Sequence, residues 1–110
     1  MENEFIKVAE KSEIGLGKTK AVNVKGKDIV IANVGGNFYA IGIKCTHAGG
    51  DLSKGTLEGN LLTCPKHHAT FDVTSGKVVS QPRMGLLHPK ANDEITYPVK
   101  IEQENIMIKP

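Results

Sequence analysis

Apolar and polar residues alternate in short runs along this chain, and glycine or proline interrupts almost every run. No stretch sustains an apolar stripe at helical spacing over three turns, so the period of two predicts strands and an all-β domain. Strands are expected at residues 5–8, 19–24, 29–34, 38–43, 56–57, 61–63, 70–73, 77–79, 95–101 and 105–108. The predicted hairpin turns are Lys25-Gly26-Lys27-Asp28, Gly35-Gly36-Asn37, Glu58-Gly59-Asn60, Thr74-Ser75-Gly76 and Glu102-Gln103-Glu104. Glycine readily takes the positive φ that such turns demand. Pro98 disfavours a central place for its strand, because it has no amide proton for the ladder.

Three stretches depart from the alternation. Residues 12–17 form a loose connection, and residues 44–54 are polar and glycine-containing, with Leu52 the one large aliphatic side chain. Residues 80–93 are irregular and carry Pro82 and Pro89, so they either cover a site or cross the surface.

Composition narrows the class. At 110 residues the chain is expected to form one domain, long enough for a core but short for an enzyme with a separate substrate domain. Fourteen basic and 12 acidic residues leave a net charge of +2, with the lysines scattered, so no nucleic-acid footprint is indicated. The start, with Glu2 and Glu4, lacks the basic and apolar segments of a secretory signal, and no run approaches the length of a membrane span. A cytoplasmic monomer with no membrane partner is the expectation.

The two cysteines change the picture most. They lie in Cys45-Thr46-His47 and Cys64-Pro65-Lys66-His67, separated by sixteen residues (48 to 63). Each segment therefore offers one thiolate and one imidazole. That donor set suits iron, zinc or copper, so residue types alone do not choose the metal. Zinc modules often take both cysteines from one knuckle and both histidines from another. Mixed pairing suits a two-iron cluster in which one iron has two thiolates and the other two imidazoles, because each loop then reaches both irons. A zinc-stabilised binding module is the rival reading.

The flanking residues bear on the choice. CxHxGG with Leu52-Ser53-Lys54-Gly55 downstream, then CPxH followed by Phe71-Asp72 and Ser75-Gly76-Lys77, resembles the Rieske ferredoxin family, whose usual wording is close to CPHxGxxLxxG and CPWHGxxFDxxTG. The likeness runs over residues 34–82 and more loosely to the C-terminus. It implies an antiparallel β sandwich or barrel with a small cluster-binding subdomain of two ligand loops, at about residues 43–82. It also implies one [2Fe-2S] cluster, with Cys45 and Cys64 on one iron and His47 and His67 on the other. Lys66 stands where the family often has an aromatic residue, and His68 where it usually has glycine. His68 is thus an alternative to His67, although the CxxH spacing selects His67. The Gln81-Pro82 segment resembles the family's third, covering loop, and His88 reads as a surface residue.

The resemblance further implies a soluble one-electron carrier, passing electrons from a reductase to an oxygenase or other redox enzyme. Two alternatives within the family are a Rieske subunit of a multicomponent oxygenase and a cluster-free chain like the small subunit of nitrite reductases. High-potential members carry a serine and a tyrosine at the positions of Ala69 and Phe71, and a disulfide between the loops. Here neither position has a hydroxyl and no cysteine remains for the disulfide, which implies a potential near the low end of the Rieske range. The potential is also expected to fall with pH once the outer imidazole protons titrate. Gly49 and Gly50 are expected to allow close backbone approach, and Pro65 to shape the second loop. Lys44, Lys54, Lys66 and Arg83 are expected to form a basic rim that steers an acidic redox partner.

Overall fold

The computed structural model of the chain describes residues 4–43, 51–65, 69–80 and 93–110. Eleven strands lie in these segments: β1 (Ile6–Glu10), β2 (Thr19–Val24), β3 (Lys27–Val34), β4 (Asn37–Gly42), β5 (Thr56–Glu58), β6 (Leu61–Thr63), β7 (Thr70–Asp72), β8 (Val78–Ser80), β9 (Thr96–Tyr97), β10 (Val99–Glu102) and β11 (Asn105–Ile108). They form three antiparallel sheets, ordered β1-β11-β10, β2-β3-β4-β9 and β5-β6-β7-β8. The all-β expectation holds. No described helix is long and apolar enough to cross a membrane.

The order of the layers follows from β3. Ile29, Val30, Ile31 and Ala32 are all buried, so this strand reads as a continuous apolar run. Successive side chains point to opposite faces, and the run therefore feeds two cores. Ile29 and Ile31 join Ala9, Ile14, Val24, Phe38, Ala40, Ile106 and Ile108, which ties the central sheet to β1 and β11. Val30 and Ala32 join Ile41, Ile43, Leu52, Leu62, Cys64, Ala69, Phe71 and Val73, which ties its other face to β6 and β7. Pairing of Thr19 through Val24 with Ala32 through Lys27, and of Val34 through Ile29 with Asn37 through Gly42, holds the central sheet in register. One polar side chain is buried at its turn end and is satisfied there. Asn33 donates to the Ile14 carbonyl at 2.8 Å and accepts from the Gly36 amide at 2.9 Å.

Turn chemistry explains the strand boundaries. Lys25 (φ 53) and Gly26 (φ 82) make a two-residue turn, as do Gly35 (φ 61) and Gly36 (φ 96). Two consecutive positive φ values match the twist of the flanking strands. The first turn is tighter than the predicted four residues, so β3 begins at Lys27. The predicted strand over 95–101 is two strands, because Pro98 divides it. Thr96–Tyr97 pairs with β4, and Val99–Glu102 pairs with β11 in another sheet. The first strand runs from Ile6 to Glu10, beyond the expected 5–8, and a 3-10 turn at Lys11–Glu13 occupies part of the loose connection. The edge strands β1, β2 and β10 carry Lys7, Lys20 and Lys100, each in an exposed ion pair. Charge there discourages edge-to-edge pairing with other chains.

Candidate metal centre

Cys64 follows β6 directly and is 1% exposed. It lies in the second core, among Leu52, Leu62, Ala69, Phe71 and Val73. The strand pairing Leu62–Phe71 and Thr63–Thr70 runs up to it, and the Cys64 amide then donates to the Ala69 carbonyl at 2.7 Å. The segment between them therefore leaves and re-enters the same ladder. Beside this bond the hydroxyls of Thr63 and Thr70 lie 3.1 Å apart. Cys64 is a free thiol among the described residues.

The first candidate loop is tied at its base to the same core. Ile43 is buried, and its amide donates to the Asp28 carbonyl at 3.2 Å. Leu52, fully buried, returns its amide to the Ile43 carbonyl at 2.8 Å. The chain then tightens into a 3-10 turn at Leu52–Lys54. Asp51 starts that turn: its carboxylate accepts from the Ser53 amide at 2.9 Å and the Ser53 hydroxyl at 2.5 Å. An aspartate bonding the backbone two residues on is a recognised turn device, and Asp51-Leu52-Ser53 was the readable signal for it. The Leu52-x-x-Gly55 wording thus has a physical meaning. Leu52 fills the core, and Gly55 passes so close to the Thr63 carbonyl that a Cβ there would collide with it.

Phe71-Asp72 and the turn after it are equally specified. Phe71 is fully buried, while Asp72 holds the turn by accepting from the Thr74 amide at 2.9 Å and its hydroxyl at 2.6 Å. The Thr74 hydroxyl is the main cause that holds the Asp72 carboxyl below its usual range. Burial opposes the shift, and the Thr74 amide and the Asn60 side chain reinforce it. Gly76, at φ 77, presses on the segment that leads to β9, where a Cβ would strike the Glu94 carbonyl. The Glu94 amide donates to the Gly76 carbonyl at 2.7 Å, and the Ile95 carbonyl accepts from Gly42 at 2.9 Å. These two bonds join β4 to the turn between β7 and β8. Sequence reasoning missed this seam, since nothing local to Gly76 names Glu94 as its neighbour.

The described residues therefore bring the bases of both candidate loops, Ile43 and Leu52 for one and Cys64 and Ala69 for the other, into a single apolar core. Ala69 and Phe71 are buried there, Pro65 is exposed, and Lys54 is exposed at the end of the 3-10 turn. Cys45, His47, His67, Gly49, Gly50, Lys44, Lys66, Arg83, His68, Gln81, Pro82 and His88 lie outside the described residues. The chemistry of Cys64 fits an iron-sulfur cluster: a free thiol buried in an apolar core, where low dielectric and nearby backbone tune a bound cluster.

Comparison with known proteins agrees with this fit. The Rieske [2Fe-2S] domain family matches residues 4–91. The chain is 38% identical, over 109 residues covering 99% of it and 98% of the relative, to the ferredoxin component of the naphthalene 1,2-dioxygenase/salicylate 5-hydroxylase systems of a Ralstonia species. Its fold superposes on the ferredoxin of carbazole 1,9a-dioxygenase from Nocardioides aromaticivorans with a TM-score of 0.87 at 24% identity, covering 98% of this chain and 99% of that one. It is also similar to a chain in the complex of reduced oxygenase and oxidised ferredoxin of carbazole 1,9a-dioxygenase, with a TM-score of 0.84 at 28% identity over 96% of this chain and 92% of that one. A zinc module accounts for none of these likenesses, whereas a two-iron, two-sulfide cofactor accounts for the family match and for the paired CxH and CPxH wording together. The chain belongs to the Rieske [2Fe-2S] domain family and carries a Rieske-type cluster.

Proposed function

We propose that this protein is a single-domain, low-potential electron carrier, with Cys45 and Cys64 ligating one iron and His47 and His67 the other. When bound, the cluster supplies a one-electron couple, the oxidised form being neutral when both imidazoles are neutral. The chain's own part is to supply the two thiolates and two imidazoles and to keep water from Cys64, which shares a buried apolar core with Leu52, Leu62 and Phe71.

The electron donor is a reductase and the acceptor the oxygenase of an aromatic-ring dioxygenase system, in the cytoplasm, with the carrier acting as a monomer. The observation that supports this is the end-to-end similarity to ferredoxin components of such systems. Lys54, exposed beside the first ligand segment, and Lys44, Lys66 and Arg83 close in sequence to the ligands, would draw an acidic partner toward the cluster end.

The test is reconstitution. With the reductase and oxygenase of a naphthalene dioxygenase system, product should form only when this chain is added. Iron and acid-labile sulfide should be equimolar, and the reduced protein should give a Rieske-type electron paramagnetic resonance spectrum. A chain that carries the cluster yet supports no turnover with any such oxygenase would end the assignment. Charge reversal at Lys54 should slow electron transfer at low salt, and an unchanged rate there would remove the basic rim.

A further inference from the structure

Thr63 meets the candidate centre on two sides. It is the last residue of β6 and the immediate neighbour of Cys64. Its carbonyl lies against Gly55, where an added Cβ would collide with that carbonyl oxygen and crowd its carbon. Gly55 has φ −83, which any residue adopts, so contact and not backbone conformation demands a glycine. A carbonyl fixed in a strand cannot swing aside as the end of a side chain can. The contact therefore sets how far the turn carrying Asp51 and Leu52 stands from Cys64.

On its other side, the Thr63 hydroxyl is 3.1 Å from that of Thr70, the first residue of β7, in a half-buried cross-strand pair. Threonine pairs of this kind stiffen the ladder at one point. The pair lies next to the Cys64–Ala69 hydrogen bond, the last tie among the described residues before the candidate ligand segment.

We infer that Thr63, wedged between Gly55 and Thr70, is a positioning residue for Cys64. It acts through the backbone that carries the thiol and touches no iron. This rests on the reading of Cys64 as a ligand and adds what aims it.

The experiment uses the cluster-loaded protein in five forms: wild type, Thr63→Val, Thr63→Ser, Gly55→Ala and Ile108→Val. Thr63→Val keeps the shape and removes the hydroxyl, and Thr63→Ser keeps the hydroxyl. Ile108→Val loosens the other core, which contains no proposed ligand. Thr63→Val and Gly55→Ala should shift the g values of the reduced cluster and release iron to a chelator about 10-fold faster or more. Thr63→Ser should keep both wild-type properties, and Ile108→Val should lower the melting temperature without moving the g values. A wild-type spectrum and iron release in Thr63→Val would overturn the inference, and so would an equal spectral change in Ile108→Val. If Gly55→Ala takes up no cluster, the contrast between Thr63→Val and Thr63→Ser decides. Cys64→Ala tests the ligand reading separately: an unchanged cluster in that variant would remove the reading itself.

Discussion

The amide of Cys64 donates to the carbonyl of Ala69 at 2.7 Å, and both residues are buried. This bond closes the second candidate ligand segment, and it also commits the Cys64 amide to a carbonyl, so that this donor is not offered to a sulfur. Neither Ala69 nor Phe71 adds a hydroxyl. A hydrogen bond to sulfur favours the more negative, reduced state, and its absence lowers the potential.

Adding hydroxyls should therefore raise the potential. Ala69→Ser or Phe71→Tyr should each shift it up by roughly 65 to 130 mV, the one-electron equivalent of about 1.5 to 3 kcal/mol for a bond to a charged group. The unmodified protein is expected nearer about −150 mV than about +300 mV. Potentiometric titration at neutral pH checks both, and a starting value well above about +100 mV would contradict the second expectation. If the hydroxyl introduced by Phe71→Tyr finds no partner in this dry core, that variant should lose about 1 to 3 kcal/mol of stability with no gain in potential.

Asp72 predicts a pH effect whose sign is fixed by its hydrogen bonds. Its carboxyl is held below the usual range, chiefly by the Thr74 hydroxyl. A depressed folded-state value means that the unfolded chain takes up the proton first as pH falls. The contribution is fully present above the unfolded value, about 3.9, and is lost as pH falls through the lower folded one. Asp72→Asn should thus be less stable than the parent at neutral pH, and the gap should narrow below about pH 4. Urea melts across that window measure it; a gap independent of pH would show that the charge plays no part.

The alternation of apolar residues made most of the strands legible, because one face of each had to be buried. β3 shows where that logic stretches: four successive buried apolar residues mark a strand covered on both faces, a pattern that says nothing about which neighbours cover it. Pro98 marked a weak point in its strand, yet only the assembled sheets reveal that the chain changes sheet there. Within the centre, the type and spacing of the proposed ligands could be read directly, whereas the burial of Leu52 and Phe71 around Cys64 came from the assembled core. The reasons for Gly55 and Gly76 could not, since each is set by a carbonyl from a distant segment, at Thr63 and Glu94.

The turn between β2 and β3 is improvable. Lys25 sits at φ 53, in the left-handed region that side chains other than asparagine and glycine adopt at a cost of about 1 to 2 kcal/mol. Gly26 already supplies the second position, and its amide donates to the Asn23 side chain at 3.2 Å. Lys25→Asn creates the Asn-Gly pair that such turns prefer and should stabilise by about 0.5 to 1 kcal/mol. Thermal melts of cluster-loaded protein would register this as a small rise. A fall would mean that the lysine has a favourable contact outweighing its backbone strain.

Removing the cluster should loosen the two cores unequally. The core of Ile29, Ile31, Phe38, Ala40, Ile106 and Ile108 contains no proposed ligand, whereas the core of Leu52, Leu62, Ala69 and Phe71 contains Cys64 itself. The second is also served by short strands, three residues each in β5 to β8, against eight in β3. Short strands leave fewer ladder bonds to hold the sheet once the proposed ligand segments are no longer linked through iron. Amide exchange in protein stripped by chelator and reductant should therefore accelerate over residues 56–80, while the amides of Ile29 to Ala32 stay slow, since their bonds belong to the central sheet. Mass-spectrometric exchange on both forms provides the comparison. Uniform acceleration through β3 and β11 would show that the two cores unfold as one unit, and that the cluster supports the whole fold and not one end of it.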